Sequence, residues 1–483
     1  DVGIKFLTFT NDQELKGYFR QLSRVTWYSI GGGLPFIILL MSKKVIFSQK
    51  TNNPIYIHHY IWQSFILAIT HYKLKYIELT MKLTLDDIID VHKKISKNVK
   101  WTETSYSSSI SEKLGINIFF KCENRQYTGA FKVRGSYSKL LSLSDHERSS
   151  GVVAMSAGNH AQGLAFISNK MDINSNIVMP EGTPFTKIRR TKNFGGNVII
   201  KGSDLDESYQ HVQDLIKDKG FIEVHPYNDL NVISGQGTIS YEMLSDCNEI
   251  DVLLIPVGGG GLIAGCALAA KEMNKNIKVI GVESDLYPSL TNKMFNKKIK
   301  CKGSTLAEGI AVSKIGDIPF SIIQDFVDDV ITVSDKSIER AIAMLAEHEK
   351  VVAEGAGATG LAALLQNTST FKGKKVGVII CGGNIDSKVL SSILMRDLVR
   401  SGQVTTLGIT MPDKPGQLQI ISKICATNGA NVLQVEHSRF AMDLSASLAK
   451  LNITVETQNS DHLNKIIEEI ERNDLPVEIE GLI

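Results

Sequence analysis

The chain has 483 residues, and 53 Lys and Arg against 51 Asp and Glu leave a formal net charge of +2. That length allows two or three domains with sizeable cores, while the scattered basic residues, with no aromatic-interleaved basic stripe, exclude a nucleic-acid partner. Six cysteines (Cys122, Cys247, Cys266, Cys301, Cys381, Cys425) stand apart with no C-x-x-C pair, so they read as reduced thiols of a cytoplasmic protein, with neither a disulfide framework nor a zinc site.

Residues 1–80 show no sustained helix or strand period. Their apolar runs, Leu34–Met41 and the His-interrupted Ile55–Ile69, are too short or too polar to span a bilayer, so no membrane association is expected. Met81-Lys82-Leu83-Thr84-Leu85 begins a helical pattern. We read residues 1–80 as an extension, with Met81 as the native start. From Met81 to Asp397 short apolar runs alternate with helical patterns: Gly151–Met155, Asn176–Met179, Asn197–Ile200, Val252–Val257, Lys278–Val282 and Lys375–Ile380. Such runs predict mainly parallel sheet covered on both faces, an α/β fold. Functional groups then gather at the carboxyl ends of strands, where Ser156, Gly258 and Cys381 stand.

Two features carry chemistry. The stretch from Glu123 to Gly135 holds Lys132 in a polar, Gly-punctuated turn that leads into a helical pattern. Further on, the strand-like Val252–Val257 ends in Gly258-Gly259-Gly260-Gly261-Leu262 and passes into a helix, Leu262–Ala270. Four residues without a Cβ let backbone N–H groups approach an anion. An amine nucleophile beside a phosphate cradle points to a phosphorylated aldehyde cofactor held as a Schiff base, and pyridoxal 5'-phosphate fits.

From Met81 to the C-terminus five motifs recur in order: Thr128-Gly129-Ala130-Phe131-Lys132, Ser156-Ala157-Gly158-Asn159-His160, Gly235-Gln236-Gly237-Thr238, the four-glycine loop, and Cys381-Gly382-Gly383-Asn384. Together they resemble the fold-type II pyridoxal-phosphate enzymes (tryptophan synthase β-like, mostly parallel sheets in two subdomains), and specifically the threonine/serine ammonia-lyases, or threonine dehydratases. The resemblance implies a catalytic domain over 81–397. It makes Lys132 the Schiff-base lysine and the base for the α-proton, which requires its ordinary pKa of roughly 10.4 to fall in a buried, cationic neighbourhood.

Within the resemblance, Gly258, Gly259, Gly260, Gly261 and Leu262 hold the phosphate and Phe131 packs beside the ring. Asn159 donates to the cofactor's 3′-oxygen, although a strand-to-helix turn also places it as a cap. Cys381 falls where a serine or cysteine meets the pyridine nitrogen; a buried inert thiol is the alternative. Ser156, Ala157, Gly158, Asn159 and His160 receive the substrate carboxylate. Ala157 stands where related serine racemases carry a serine base, so racemisation is disfavoured. Glu283 is present, but Ser289 stands where some relatives carry a second carboxylate, and no metal ligands are assigned. Gly235–Thr238, the Glu308–Ala311 segment and the Glu354–Ala358 segment match the family as support near the site.

Residues 401–483 change character. Val404–Met411 alternates as a half-buried strand, Gln417–Thr427 is helical, Asn428–Asn431 breaks the helix, and Val432–Phe440, Ser447–Glu456, the helix Asp461–Arg472 and a strand near Pro476–Ile479 follow. This order is ferredoxin-like α+β and resembles an ACT domain, implying an amino-acid effector. The expected activity is elimination of L-threonine to 2-oxobutyrate and ammonia, with L-serine to pyruvate as a secondary reaction, in a homo-oligomer (dimer or tetramer). A serine racemase, a β-replacing enzyme and a non-catalytic amino-acid sensor are the alternatives.

Overall fold

The computed structural model describes residues 83–439 and 445–480. The extension 1–80, Met81 and the Phe440 end of one expected strand lie outside the described residues. Every described element lies in one compact unit, Leu83–Ile483.

The first ten strands are β1 (Thr104–Tyr106), β2 (Asn117–Cys122), β3 (Val152–Met155), β4 (Ser175–Met179), β5 (Asn197–Ile200), β6 (Ile222–Glu223), β7 (Val252–Pro256), β8 (Lys278–Ser284), β9 (Asp329–Val333) and β10 (Lys375–Ile380). They form two sheets, β1-β2-β10-β7-β8-β9 and β5-β4-β3-β6. Apart from the antiparallel β1–β2 edge, every neighbouring pair is parallel. The chain leaves the larger sheet after β2, builds the whole smaller sheet, and returns at β7. Every residue of β4 and β7 is buried, the outcome that unbroken apolar runs dictate when helices cover both faces.

The Gly235-Gln236-Gly237-Thr238 segment lies inside the helix Leu230–Asp246. A Cβ on Gly235 would lie 2.6 Å from the Arg134 carbonyl oxygen, and one on Gly237 would lie 2.8 Å from that of Gly265. The missing side chains let this helix pack closely against the helices Lys132–Ser142 and Gly261–Met273. It thereby fixes the two helices that begin at the lysine and at the glycine loop.

Arg134 anchors the first turn of the lysine's helix. Its guanidinium meets Glu123 at 2.8 Å and Glu242 at 2.7 Å, Lys121 meets Glu242 at 2.8 Å, and all four side chains are fully buried. Thr102 Oγ1 donates to Glu123 at 2.6 Å. Two cations thus balance two carboxylates away from water, an arrangement whose rupture is costly because a charge is left uncompensated.

The C-terminal strands, β11 (Val404–Pro412), β12 (Asn431–Ser438), β13 (Leu448–Glu456) and β14 (Val477–Glu480), alternate with the helices Gln417–Thr427 and Ser460–Glu471. The order is β12-β13-β11-β14 with antiparallel neighbours, the ferredoxin-like arrangement read from the sequence. Leu407, Ile409, Leu451 and Ile453 recur with period two and pack against Ile421 and Ile466, so one sheet face is closed by the helices.

Candidate active site

Lys132 opens the helix Lys132–Ser142 directly after Phe131. Its Nζ donates to the Pro226 carbonyl oxygen at 2.8 Å and lies 5.1 Å from the centre of the Phe131 ring. Removal from water pushes the amine down to about 8, while the neighbouring Cys381 and Glu354 pull it the other way. The cationic neighbour that the sequence argument asked for plays no part; burial alone lowers this pKa. Phe131 is itself buried in the main core, so its ring serves core and site together.

The turn that accepts from Lys132 also supports the glycine loop. Tyr227, next to Pro226, packs under Gly259 and Gly261: a Cβ on Gly259 would overlap the Tyr227 ring, and one on Gly261 would lie 2.9 Å from Tyr227 Cα. His225 Nδ1 accepts from the backbone N–H groups of Tyr227 (3.3 Å) and Asn228 (2.8 Å) and so shapes this turn. Burial, then the nearby Lys132, hold His225 down to about 4, leaving the ring neutral. Gly260 takes φ +95°, a left-handed conformation that side chains disfavour. The helix Gly261–Met273 then starts with no side-chain cap, leaving first-turn N–H groups of the kind that attract anions. Leu262 is buried just inside that helix.

Cys381 follows β10, which pairs with β7, so its loop and the glycine loop emerge side by side at the carboxyl end of the larger sheet. The thiol is buried and burial pushes it well above its ordinary range, which makes it a neutral hydrogen-bonding group. Its backbone carbonyl accepts from Phe131 N–H at 3.0 Å, tying this loop to the lysine turn.

From the smaller sheet comes the turn after β3. Ser156 Oγ accepts from the N–H groups of Gly158 (3.2 Å) and Ala161 (3.3 Å), and a Cβ on Gly158 would meet open space. Ala157, its methyl packed toward the smaller core, offers no proton acceptor. His160 turns inward: it is 3% exposed, its Nε2 is 2.7 Å from the Val224 carbonyl oxygen, and burial holds it down to about 3. Asn159 Nδ2 donates to Glu354 Oε1 at 2.6 Å, and its Oδ1 accepts from Asn384 Nδ2 at 2.8 Å.

Sequence reasoning passed over Pro226, Tyr227 and His225, although a polar turn before the helix Leu230–Asp246 was a signal. It set Glu354 among supporting residues, whereas the carboxyl stands beside Lys132 and Cys381 and burial pushes it up to about 7. Glu283 is saturated by donors, accepting from Ser289 Oγ (3.2 Å), Leu290 N (2.6 Å), Thr291 N (2.9 Å) and Thr291 Oγ1 (2.8 Å). Among the described residues no cluster of His, Cys, Asp and Glu could hold a metal ion, and no helix is long and apolar enough to cross a membrane.

The residues fit pyridoxal phosphate: an uncapped helix start with a glycine cradle for the phosphate, a buried amine pushed down to about 8, and a neutral thiol. Comparison with known proteins agrees. A family model described as pyridoxal-phosphate dependent enzyme matches residues 95–382, and an ACT-domain model matches residues 401–474. The chain is 43% identical to the L-threonine ammonia-lyase of Thermotoga maritima over 392 residues, 81% of this chain and 96% of that protein. The structure resembles the processed form of threonine deaminase isoform 2 from Solanum lycopersicum, with a TM-score of 0.61 and 31% identity over 64% of this chain and 92% of that one. It also resembles serine racemase from Dictyostelium discoideum, with a TM-score of 0.60 and 37% identity over 63% of this chain and 99% of that one. From its glycine cradle and buried lysine to these matches, the chain belongs to the pyridoxal-phosphate dependent enzymes and carries a C-terminal ACT domain.

Proposed function

We propose that the protein is a threonine ammonia-lyase, converting L-threonine to 2-oxobutyrate and ammonia and, more slowly, L-serine to pyruvate and ammonia. One observation carries this reading: the Lys132 amine is buried, shifted to about 8, and held by the same turn that supports the glycine loop. When bound, pyridoxal phosphate supplies a sink for the electron pair left at the substrate α-carbon.

The chain supplies the rest. Backbone N–H groups of Gly258–Gly261 and Leu262, with the helix start, would hold the phosphate. Phe131 would back the ring, Asn159 would donate to the ring oxygen, and the Cys381 thiol would face the ring nitrogen. The Ser156–His160 turn takes the substrate carboxylate; Ser156 shapes it, Gly158 leaves room, and His160 braces it from behind. Lys132, neutral for a substantial fraction of the time near pH 8, takes the α-proton at Nζ. The Cys381 thiol could not protonate the ring nitrogen as an aspartic acid would, so the bound ring would be a moderate electron sink, which favours elimination; the β-hydroxyl would leave as water, balanced by the α-proton taken at Lys132 Nζ. Water then adds to the released enamine, giving the oxo acid and ammonia.

We assign catalysis to residues 81–397 and regulation by an amino-acid effector to residues 401–483, in a cytoplasmic homo-oligomer. The likeness to a serine racemase supplies a second reading, against which Ala157 weighs because it leaves no acceptor on the opposite face. Incubation with L-serine separates the two: pyruvate with no D-serine is expected, and accumulating D-serine would establish the racemase.

A further inference from the structure

We propose that Glu354 is a positioning residue that fixes which way the Asn159 amide faces, and so aims its free N–H at the cofactor ring. The inference rests on the role proposed above for Asn159, and the geometry makes the direction of the chain of bonds unambiguous. A backbone carbonyl only accepts. The Thr128 carbonyl oxygen lies 2.8 Å from Asn384 Nδ2, which fixes the orientation of the Asn384 amide. The same nitrogen donates to Asn159 Oδ1 at 2.8 Å, so Asn159 must turn its Nδ2 toward Glu354 Oε1, 2.6 Å away. An amide nitrogen carries two hydrogens. Asn384 spends both; Asn159 spends one on Glu354 and keeps one for a ligand.

Glu354 is anchored at its backbone and confined at its carboxyl. Glu354 N–H donates to the Gly382 carbonyl oxygen at 3.0 Å, and Gly382 leaves no room for a Cβ beside the carboxyl. The Gly382 loop follows β10 of the larger sheet, and Asn159 follows β3 of the smaller one. Glu354 therefore joins the two walls of the site. Lys132, Cys381, Lys187 and Glu308 are the titratable groups around it, and Lys187 meets Glu308 at 2.7 Å. Burial raises the carboxyl to about 7, and either form retains an oxygen that accepts from Asn159.

The test compares Glu354→Ala and Glu354→Gln in the full chain, reading the dissociation constant of pyridoxal phosphate, the visible absorption maximum of the loaded protein, and the Tm of the cofactor-free protein. Glu354→Ala should weaken cofactor binding about tenfold, the scale of one hydrogen bond to a charged group, and move the absorption maximum. Glu354→Gln still offers Asn159 an oxygen and should restore most of both. Asn384→Ala frees the amide from its other side and should reproduce the spectral change, which keeps the test open should Glu354→Ala fail to fold. Wild-type affinity and spectrum in Glu354→Ala or Asn384→Ala, whatever the Tm, would overturn the inference, as would a Glu354→Gln variant as impaired as Glu354→Ala. A wild-type protein that binds no cofactor would instead overturn the Lys132 assignment, and this inference with it.

Discussion

Replacing Gly261 by alanine sets two effects against each other. Alanine is favoured over glycine inside a helix by about 1 kcal/mol, and Gly261 is the first residue of the helix Gly261–Met273. The new Cβ, however, would sit 2.9 Å from both Cα and Cβ of Tyr227 and 3.1 Å from its carbonyl oxygen. Ordinary carbon contacts begin near 3.5 Å, so loop or turn must yield by about half an ångström. The obstacle is largely backbone, which cannot rotate away. Overpacking of this kind costs about 1–3 kcal/mol, and the propensity gain offsets only part of it. A net loss of about 1–2 kcal/mol is expected in denaturant unfolding of the cofactor-free protein. Because the displaced loop carries the phosphate-facing N–H groups, cofactor affinity should fall as well, by more than stability alone explains. Equal or greater stability together with wild-type affinity for pyridoxal phosphate would refute the cradle argument.

Two further outcomes follow from buried charge. Arg134→Met leaves Glu123 and Glu242 facing Lys121 alone and should cost about 3–5 kcal/mol in unfolding free energy; a loss below about 1 kcal/mol would show that the network does not hold the lysine helix. Lys132 has a folded-state pKa of about 8, below its unfolded value of 10.5, so the folded protein binds fewer protons between those values. Stability attributable to this group is therefore lowest below pH 8 and recovers as pH rises to 10.5. Lys132→Met should be the more stable protein at pH 7, by about 3 kcal/mol as an upper figure from the shift, with the gap closing across pH 8 to 10.5. A gap that does not change with pH would contradict a buried, depressed amine.

Much of the architecture was legible because parallel strands buried on both faces leave unbroken apolar runs. The run Val252–Val257 contains β7 (Val252–Pro256), Lys375–Ile380 is β10, and the expected helix Gln417–Thr427 has those bounds in the fold. Lys132 and the glycines could be proposed for the site from residue type alone, and the fold sets them against one turn, Pro226–Tyr227. What stayed hidden depends on long-range placement. Pro226 contributes a backbone carbonyl, which no residue type signals, and Tyr227 contributes a ring surface that any core aromatic would share. No local pattern announces that Lys121, Glu123, Arg134 and Glu242 form one buried network; only the fold brings 121 and 242 within 2.8 Å. Glu354 precedes a glycine-alanine helix and looks like a helix start, which it also is; only the contact with Asn159, 195 residues away, gives it a place in the site. His160, expected to receive the substrate carboxylate, turns inward instead, its Nε2 2.7 Å from the Val224 carbonyl oxygen.

The central claim is that the buried Lys132 amine performs the elimination. Its most direct test is 2-oxo acid release from L-threonine and L-serine by the wild-type protein and by Lys132→Ala, each supplied with pyridoxal phosphate. The account predicts 2-oxobutyrate from threonine faster than pyruvate from serine, with both lost in the variant. Turnover retained by Lys132→Ala, or no oxo acid from a wild-type protein that binds the cofactor, would contradict it.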